Sequence, residues 1–279
     1  MKVVESIADL RDIRRADPAL TWGFVPTMGF LHDGHISLVG QSVRENDRTA
    51  VSIFVNPAQF NDPGDLAAYP RDIERDLALL RKAGADLVWT PEPETVYPPD
   101  FQTHVDVGEL SRPLEGAARP GHFRGVATVV AKLFNAVQPD RAYFGQKDAQ
   151  QAAVIRRMVI DLNVPVEIIV APTVREPDGL AMSSRNSRLP ADARQAATCL
   201  YRALSAAQVL WNRGERRGDI LRAEMRRVIA AEPLARIDYV SVADPETLVE
   251  LEAARGAALF SLAVFVGGVR LIDNVRLTG

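Results

Sequence analysis

Apolar positions along this chain switch between two periods. Short runs, Trp22–Val25, Thr49–Val55, Ala85–Trp89, Arg141–Phe144 and Val164–Val170, predict strands, the first of them broken by Pro26 and Thr49–Val55 apolar enough to be buried on both faces. Between them lie stretches with helical spacing. Ser6 caps the first, which runs to Ala16 with Ile7, Leu10 and Ile13 inward; the others are Gly34–Glu45, Asp72–Ala83, Phe123–Val137 and Asp148–Leu162. Strand and helix alternate, which predicts a parallel sheet with crossover helices. After Thr173 the pattern changes. Helical spacing over Pro190–Asn212 and Asp219–Glu232 precedes strand-like Ile237–Val242, Ala257–Val266 and Val269–Leu277, the last two joined by a Gly267-Gly268 hairpin signal. The pattern predicts an α/β domain over 1–173 and a smaller α+β domain over 174–279.

Composition narrows the class of function. At 279 residues the chain can bury a substantial core, and its hydrophobic fraction of 47% is that of an ordinary globular protein. A net charge of −3 gives no electrostatic reason to expect a nucleic-acid partner. Nor does any apolar run approach membrane-spanning length, so no membrane partner is expected. The lone Cys199 excludes an intramolecular disulfide and suits a reducing compartment, so the expected location is the cytoplasm.

Candidate chemistry gathers at predicted strand ends, where ligands of open α/β sheets bind. The first strand runs into Thr27-Met28-Gly29-Phe30-Leu31-His32-Asp33-Gly34-His35 and then a helix start. Unpaired backbone N–H groups and the helix dipole there are expected to hold phosphate, with His32 and His35 on one side of the turn. A zinc site does not fit, because four histidines and one cysteine leave no second cluster to complete a ligand set. Asn56 and Gln59 follow the second strand. Arg119-Pro120-Gly121-His122-Phe123-Arg124-Gly125 is basic and glycine-rich at a helix start, open to an anion contact or a solvated cap. Gly145-Gln146-Lys147-Asp148 follows another strand, with Gln151 one turn along; Lys147 suits a phosphate, and Asp148 a ribose hydroxyl or a helix cap. A last polar loop is Asp178-Gly179-Leu180-Ala181-Met182-Ser183-Ser184-Arg185-Asn186.

In combination these segments are specific. Leu31-His32-Asp33-Gly34-His35 resembles the HIGH-type signature of nucleotidylyltransferases, and Met182-Ser183-Ser184-Arg185 occupies the place of their KMSKS-type loop. Together with Phe54-Val55-Asn56-Pro57-Ala58-Gln59-Phe60, Arg119–Val126, Gly145–Gln151 and Gly179–Asn186, nearly the whole chain resembles the pantoate–β-alanine ligase family.

The resemblance implies a Rossmann-like catalytic domain and a two-step reaction. Pantoate attacks the α-phosphate of ATP to give pantoyl adenylate and pyrophosphate; β-alanine then displaces AMP to give pantothenate. It implies catalytic roles for His32, His35, Lys147 and Arg185, with His35 in the family's acid role. ATP would be held by Met28, Gly29, Phe30, Leu31, His32, Asp33, Gly34 and His35, by Gly145, Gln146, Lys147 and Asp148, and by Val174, Met182, Ser183, Ser184 and Arg185. Pantoate and β-alanine would meet Gln59, Gln151, Asn56 and Arg119. Mg2+ is expected to accompany ATP, with Asp76 as a candidate ligand. A homodimer and a mobile gate near Asn61 to Arg75 are also implied. The alternative is another HIGH-superfamily nucleotidylyltransferase that acts on a phosphorylated acceptor, for which extra Arg or Lys would be expected in place of Gln59 and Gln151.

Overall fold

The computed structural model describes residues 1–278. Its chain divides into two compact units, Met1–Gly145 with Gln150–Pro172, and Gln146–Ala149 with Thr173–Gly279.

The first unit is built on six parallel strands, β1 (Lys2–Val4), β2 (Trp22–Thr27), β3 (Arg48–Ile53), β4 (Leu87–Trp89), β5 (Arg141–Gly145) and β6 (Glu167–Ala171), in the order β1-β4-β3-β2-β5-β6. This is the expected Rossmann-like α/β sheet. Side chains leave each strand on alternate faces. Phe24, Ala50, Leu87, Ala142 and Phe144 join one apolar cluster with Leu10 and Phe134, while Val25, Val51, Val88 and Tyr143 join another with Val39 and Leu80. Helices Ile7–Ala16 and His122–Val137 supply the first cluster; Asp33–Glu45 and Ile73–Ala83 supply the second. Chain order reverses at β2, which lies between β3 and β5. The carboxyl ends of these strands therefore flank the position where such sheets bind ligands.

One local expectation is corrected, and one strand is unforeseen. Pro26 does not end the first strand, which continues to Thr27. Thr21 and Thr27 turn their carbonyls to β3, whereas Trp22 turns its carbonyl toward the β5 side. By alternation the Pro26 nitrogen faces the β5 side, where pairing has already stopped at Phe24, so no ladder donor is lost. The strand β1, unpredicted because three residues carry no readable period, pairs with β4 at the sheet edge.

The second unit packs β7 (Ala235–Ala243), β8 (Ala258–Val266) and β9 (Val269–Leu277) as an antiparallel sheet in that order. The helical stretch predicted over Pro190–Asn212 is two helices, Ala191–Ala196 and Cys199–Asn212. With helix Gly218–Ala230 they contribute Leu200, Leu204, Trp211, Leu221, Met225 and Ile229 to a core shared with Phe260, Leu262 and Val264. No helix among the described residues is long and apolar enough to cross a membrane.

Candidate active site

The turn after β2 is folded by hydrogen bonds within itself and to Asp76. Gly29 and Phe30 both take positive φ, +79° and +49°. Only glycine adopts the first without strain, and a Cβ there would lie 3.1 Å from an Asp76 carboxylate oxygen. That carboxylate, buried at 1% exposure, accepts the Phe30 N–H at 2.6 Å and the Leu31 N–H at 2.8 Å. Burial pushes the Asp76 carboxyl above its ordinary range, against the pull of these two N–H bonds and of Arg75.

His32 caps the helix Asp33–Glu45. Its Nδ1 accepts the Gly34 N–H at 3.1 Å, and the Nδ1 of His35 accepts the His32 N–H at 3.4 Å. The Gly29 N–H donates to Thr27 Oγ1, and the His35 N–H to the His32 carbonyl. Most backbone donors of the turn are therefore spent within the protein. This corrects the expectation that unpaired N–H groups would hold phosphate. The ring bonds fix the tautomer instead: with Nδ1 accepting, a neutral imidazole carries its proton on Nε2. Both histidines thus become Nε2–H donors.

Asn56, after β3, is 1% exposed and uses its whole amide. Its oxygen accepts from the Ala58 N–H and the Tyr97 hydroxyl, and its nitrogen donates to Gln59 Oε1 at 2.9 Å and the Gly125 carbonyl. This orientation turns the Gln59 Nε2 toward Met28 Sδ, 3.1 Å away. Gln59 is thereby set as an N–H donor beside the histidine turn. Gly125 is required here, because a Cβ would meet the Ala58 carbonyl oxygen at 2.2 Å. Sequence reasoning missed Tyr97, which is half-buried and whose hydroxyl is pushed up to about 12 by desolvation; its place in a proline-rich connection carried no signal.

Arg119 donates to the Gln59 carbonyl at 3.1 Å and approaches His122 Nε2 at 3.3 Å. His122 Nδ1 lies 2.9 Å from the same carbonyl, so His122 accepts from Arg119 and donates to Gln59. The basic cluster, open in sequence to an anion contact or a solvated cap, has its Arg119 and His122 clasping the Gln59 turn. Gln151 stands half-buried on the first turn of helix Ala149–Asp161, whereas Gln150 is consumed by Glu115, Leu110 and Pro113.

In the second unit, Gln146, Lys147 and Asp148 form a single 3-10 turn, with Lys147 Nζ 3.8 Å from Asp148. Val174 to Met182 is a tight hairpin: Met182 N–H donates to the Val174 carbonyl and Glu176 N–H to that of Leu180. Ser183 then caps the turn Ser184–Arg188 by accepting the Arg185 N–H. Arg194 braces the hairpin through Glu176 and Asp178. Among the described residues no group of three or more His, Cys, Asp or Glu is placed to hold a metal ion. Asp76, the candidate magnesium ligand, has both oxygens committed to backbone N–H groups, and these residues do not fit a protein-built metal site.

Similarity to known proteins covers the whole arrangement. The pantothenate synthetase of Roseiflexus sp. (strain RS-1) is 61% identical over 277 residues, 99% of each chain. A crystal structure of pantothenate synthetase from Thermus thermophilus superposes with a TM-score of 0.93 at 48% identity, covering 99% of each chain. That of the pantoate-β-alanine ligase from Francisella tularensis, complexed with β-γ ATP and β-alanine, gives 0.81 at 34% identity, covering 99% of this chain and 97% of that one. The family model for pantoate-β-alanine ligase matches residues 2–276, and the chain belongs to that family.

Proposed function

We propose that the chain performs its family's ligation of pantoate and β-alanine in two steps on the residues described above. A carboxylate oxygen of pantoate attacks the α-phosphorus of ATP, the bond to the β-phosphate oxygen breaks, and pyrophosphate leaves. The amine of β-alanine then attacks the acyl carbon of pantoyl adenylate and AMP departs, giving pantothenate. Adenylation makes a poor acyl donor reactive, and water must be kept out between the steps.

The observation that carries this reading is the Nδ1 engagement of both histidines in the turn after β2, which sets Nε2 as the proton-bearing nitrogen of His32 and His35. Their role in the first step is electrostatic, because a carboxylate nucleophile has no proton to remove. Lys147, Ser183, Ser184 and Arg185 add charge-assisted bonds to the α-phosphate and departing pyrophosphate. Met28 to His35, Gly145 to Asp148, Val174 and Met182 line the nucleotide site, with Asp148 on the ribose. Gln59 offers an N–H to the pantoate carboxylate or hydroxyls, and with Asn56 and Arg119 behind it helps place β-alanine; Gln151 completes pantoate binding. ATP and β-alanine as ligands are supported by the Francisella complex. Mg2+ would arrive on the ATP phosphates and screen their charge. Residues 1–173 act as the catalytic domain and 174–279 carry the MSSR loop. The enzyme is taken as a cytoplasmic homodimer, with residues 61–75 as its gate.

The test is the nucleotide product formed from MgATP, pantoate and β-alanine with each acid omitted in turn. AMP and pantothenate are expected only with both acids present; AMP release independent of β-alanine, or none at all, would overturn the two-step reading.

A further inference from the structure

Two consecutive polar residues in β9, far from every motif, bind both nucleotide loops of the second unit. Asp273 is 2% exposed and Asn274 is 4% exposed. A buried carboxylate and a buried amide are costly unless fully bonded, and here the bonds go to two separate segments. Asp273 holds Arg175 in a two-point pair, at 2.6 Å to one guanidinium nitrogen and 2.9 Å to the other, and also accepts the Asn274 N–H. Arg175 in turn donates to the Gly179 carbonyl and lies 4.6 Å over the Tyr201 ring. It therefore ties the first strand of the hairpin that delivers Met182-Ser183-Ser184-Arg185 to that hairpin's tip. Gly179 itself has φ +92°, and a Cβ there would meet Tyr201 at 2.0 Å, so the hairpin tip is pressed onto the same ring.

Asn274 serves the other loop. Its Nδ2 donates to the Gln146 carbonyl at 2.9 Å and the Lys147 carbonyl at 2.8 Å, and its Oδ1 accepts from Gln146 Nε2 at 3.1 Å. Both backbone carbonyls at the base of the Lys147 side chain are thus held by one amide. Successive side chains leave a strand on opposite faces, which lets adjacent residues reach two different loops.

We propose that Asp273 and Asn274 are positioning residues that fix the Lys147 turn and the MSSR hairpin to one rigid strand, so that the cations of both loops are preorganised for the phosphates of ATP. This rests on the nucleotide role assigned above to those loops. Preorganisation of charge is where such sites gain most of their rate, and a loop displaced by about an ångström forfeits about a hundredfold.

The test combines kinetics with backbone protection in the full-length enzyme. Asn274→Ala is expected to raise amide hydrogen exchange at 146–149, and Asp273→Asn at 175–186. Both should raise the KM for ATP in pantoate-dependent pyrophosphate–ATP exchange by about tenfold or more, with the KM for pantoate within about twofold. If Asp273→Asn does not fold, the double variant Asp273→Asn, Arg175→Met removes both charges and is measured in its place. Unchanged exchange in both loops overturns the proposal, as does an ATP KM that stays put while the loops loosen. Lys147→Ala separates the two readings: if it too leaves the ATP KM unchanged, the nucleotide role of the loop fails; if it raises that KM while Asn274→Ala does not, only the positioning role fails.

Discussion

The rings of His32 and His35 lie 4.0 Å apart, and the Nδ1 of His35 accepts the backbone N–H of His32. Each ring is therefore part of the cap on its Nδ1 side, which sets Nε2 as the proton-bearing nitrogen of the neutral ring.

That division can be measured at His35. Asparagine places an acceptor near the Nδ1 position, so His35→Asn should keep the melting temperature close to wild type. It should still lose about a hundred- to a thousandfold in kcat, the usual loss of one oxyanion donor. His35→Gln, which reaches toward the Nε2 position, should recover part of the rate. Thermal melts alongside initial rates would check this, and wild-type turnover in the asparagine variant would remove the role.

Gln59 is oriented by Asn56, which donates to its Oε1. Gln59→Glu keeps that acceptor and replaces the Nε2 donor with negative charge facing a carboxylate substrate. The KM for pantoate should rise about tenfold or more, with the KM for ATP little changed. An unaltered pantoate KM would contradict the placement.

Lys147→Ala should weaken use of ATP more than use of pantoate, because a point charge on phosphate is lost and no core contact is. Separate KM values for the two substrates decide it.

Asp76 carries a pH signature. Its folded pKa is raised by burial, so its contribution to stability is fully present below the unfolded carboxylate value and is lost as pH rises through the folded one. Asp76→Asn has no such titration. Relative to that variant, wild type should therefore be more stable near pH 4 than near pH 7, read as the difference in melting temperature. The variant should also lose kcat, since one of the Phe30 and Leu31 N–H groups loses its acceptor, while its Mg2+ titration midpoint stays the same. A shifted midpoint would return Asp76 to the metal.

Burial raises the Cys199 thiol to about 11. At pH 8 the thiolate is scarce, and the side chain is fully enclosed. Iodoacetamide should leave the native enzyme active and unlabelled, and label it only after unfolding.

Much of this site is legible from sequence because its parts are local. A cap, a strand end and a helix start are written within a few residues of one another, and the HxGH, GQKD and MSSR segments each stand as unbroken stretches. The same locality explains the misread Pro26: its tolerance depends on where β5 stops pairing, a fact about a strand more than a hundred residues away.

By itself, the sequence determined the alternating α/β order, the antiparallel end of the chain and the candidate residues at its strand ends, because hydrophobic period and turn composition act over one or two turns of backbone. The tertiary structure decided which way those residues are held. Asp76 reaches the histidine turn across 46 positions, Tyr97 reaches Asn56 across 41, and Asp273 and Asn274 reach the MSSR hairpin and the Lys147 turn across 98 and 128. Each of these is a buried or half-buried polar group that needs a partner, and which partner it finds is fixed only when distant strands are brought together.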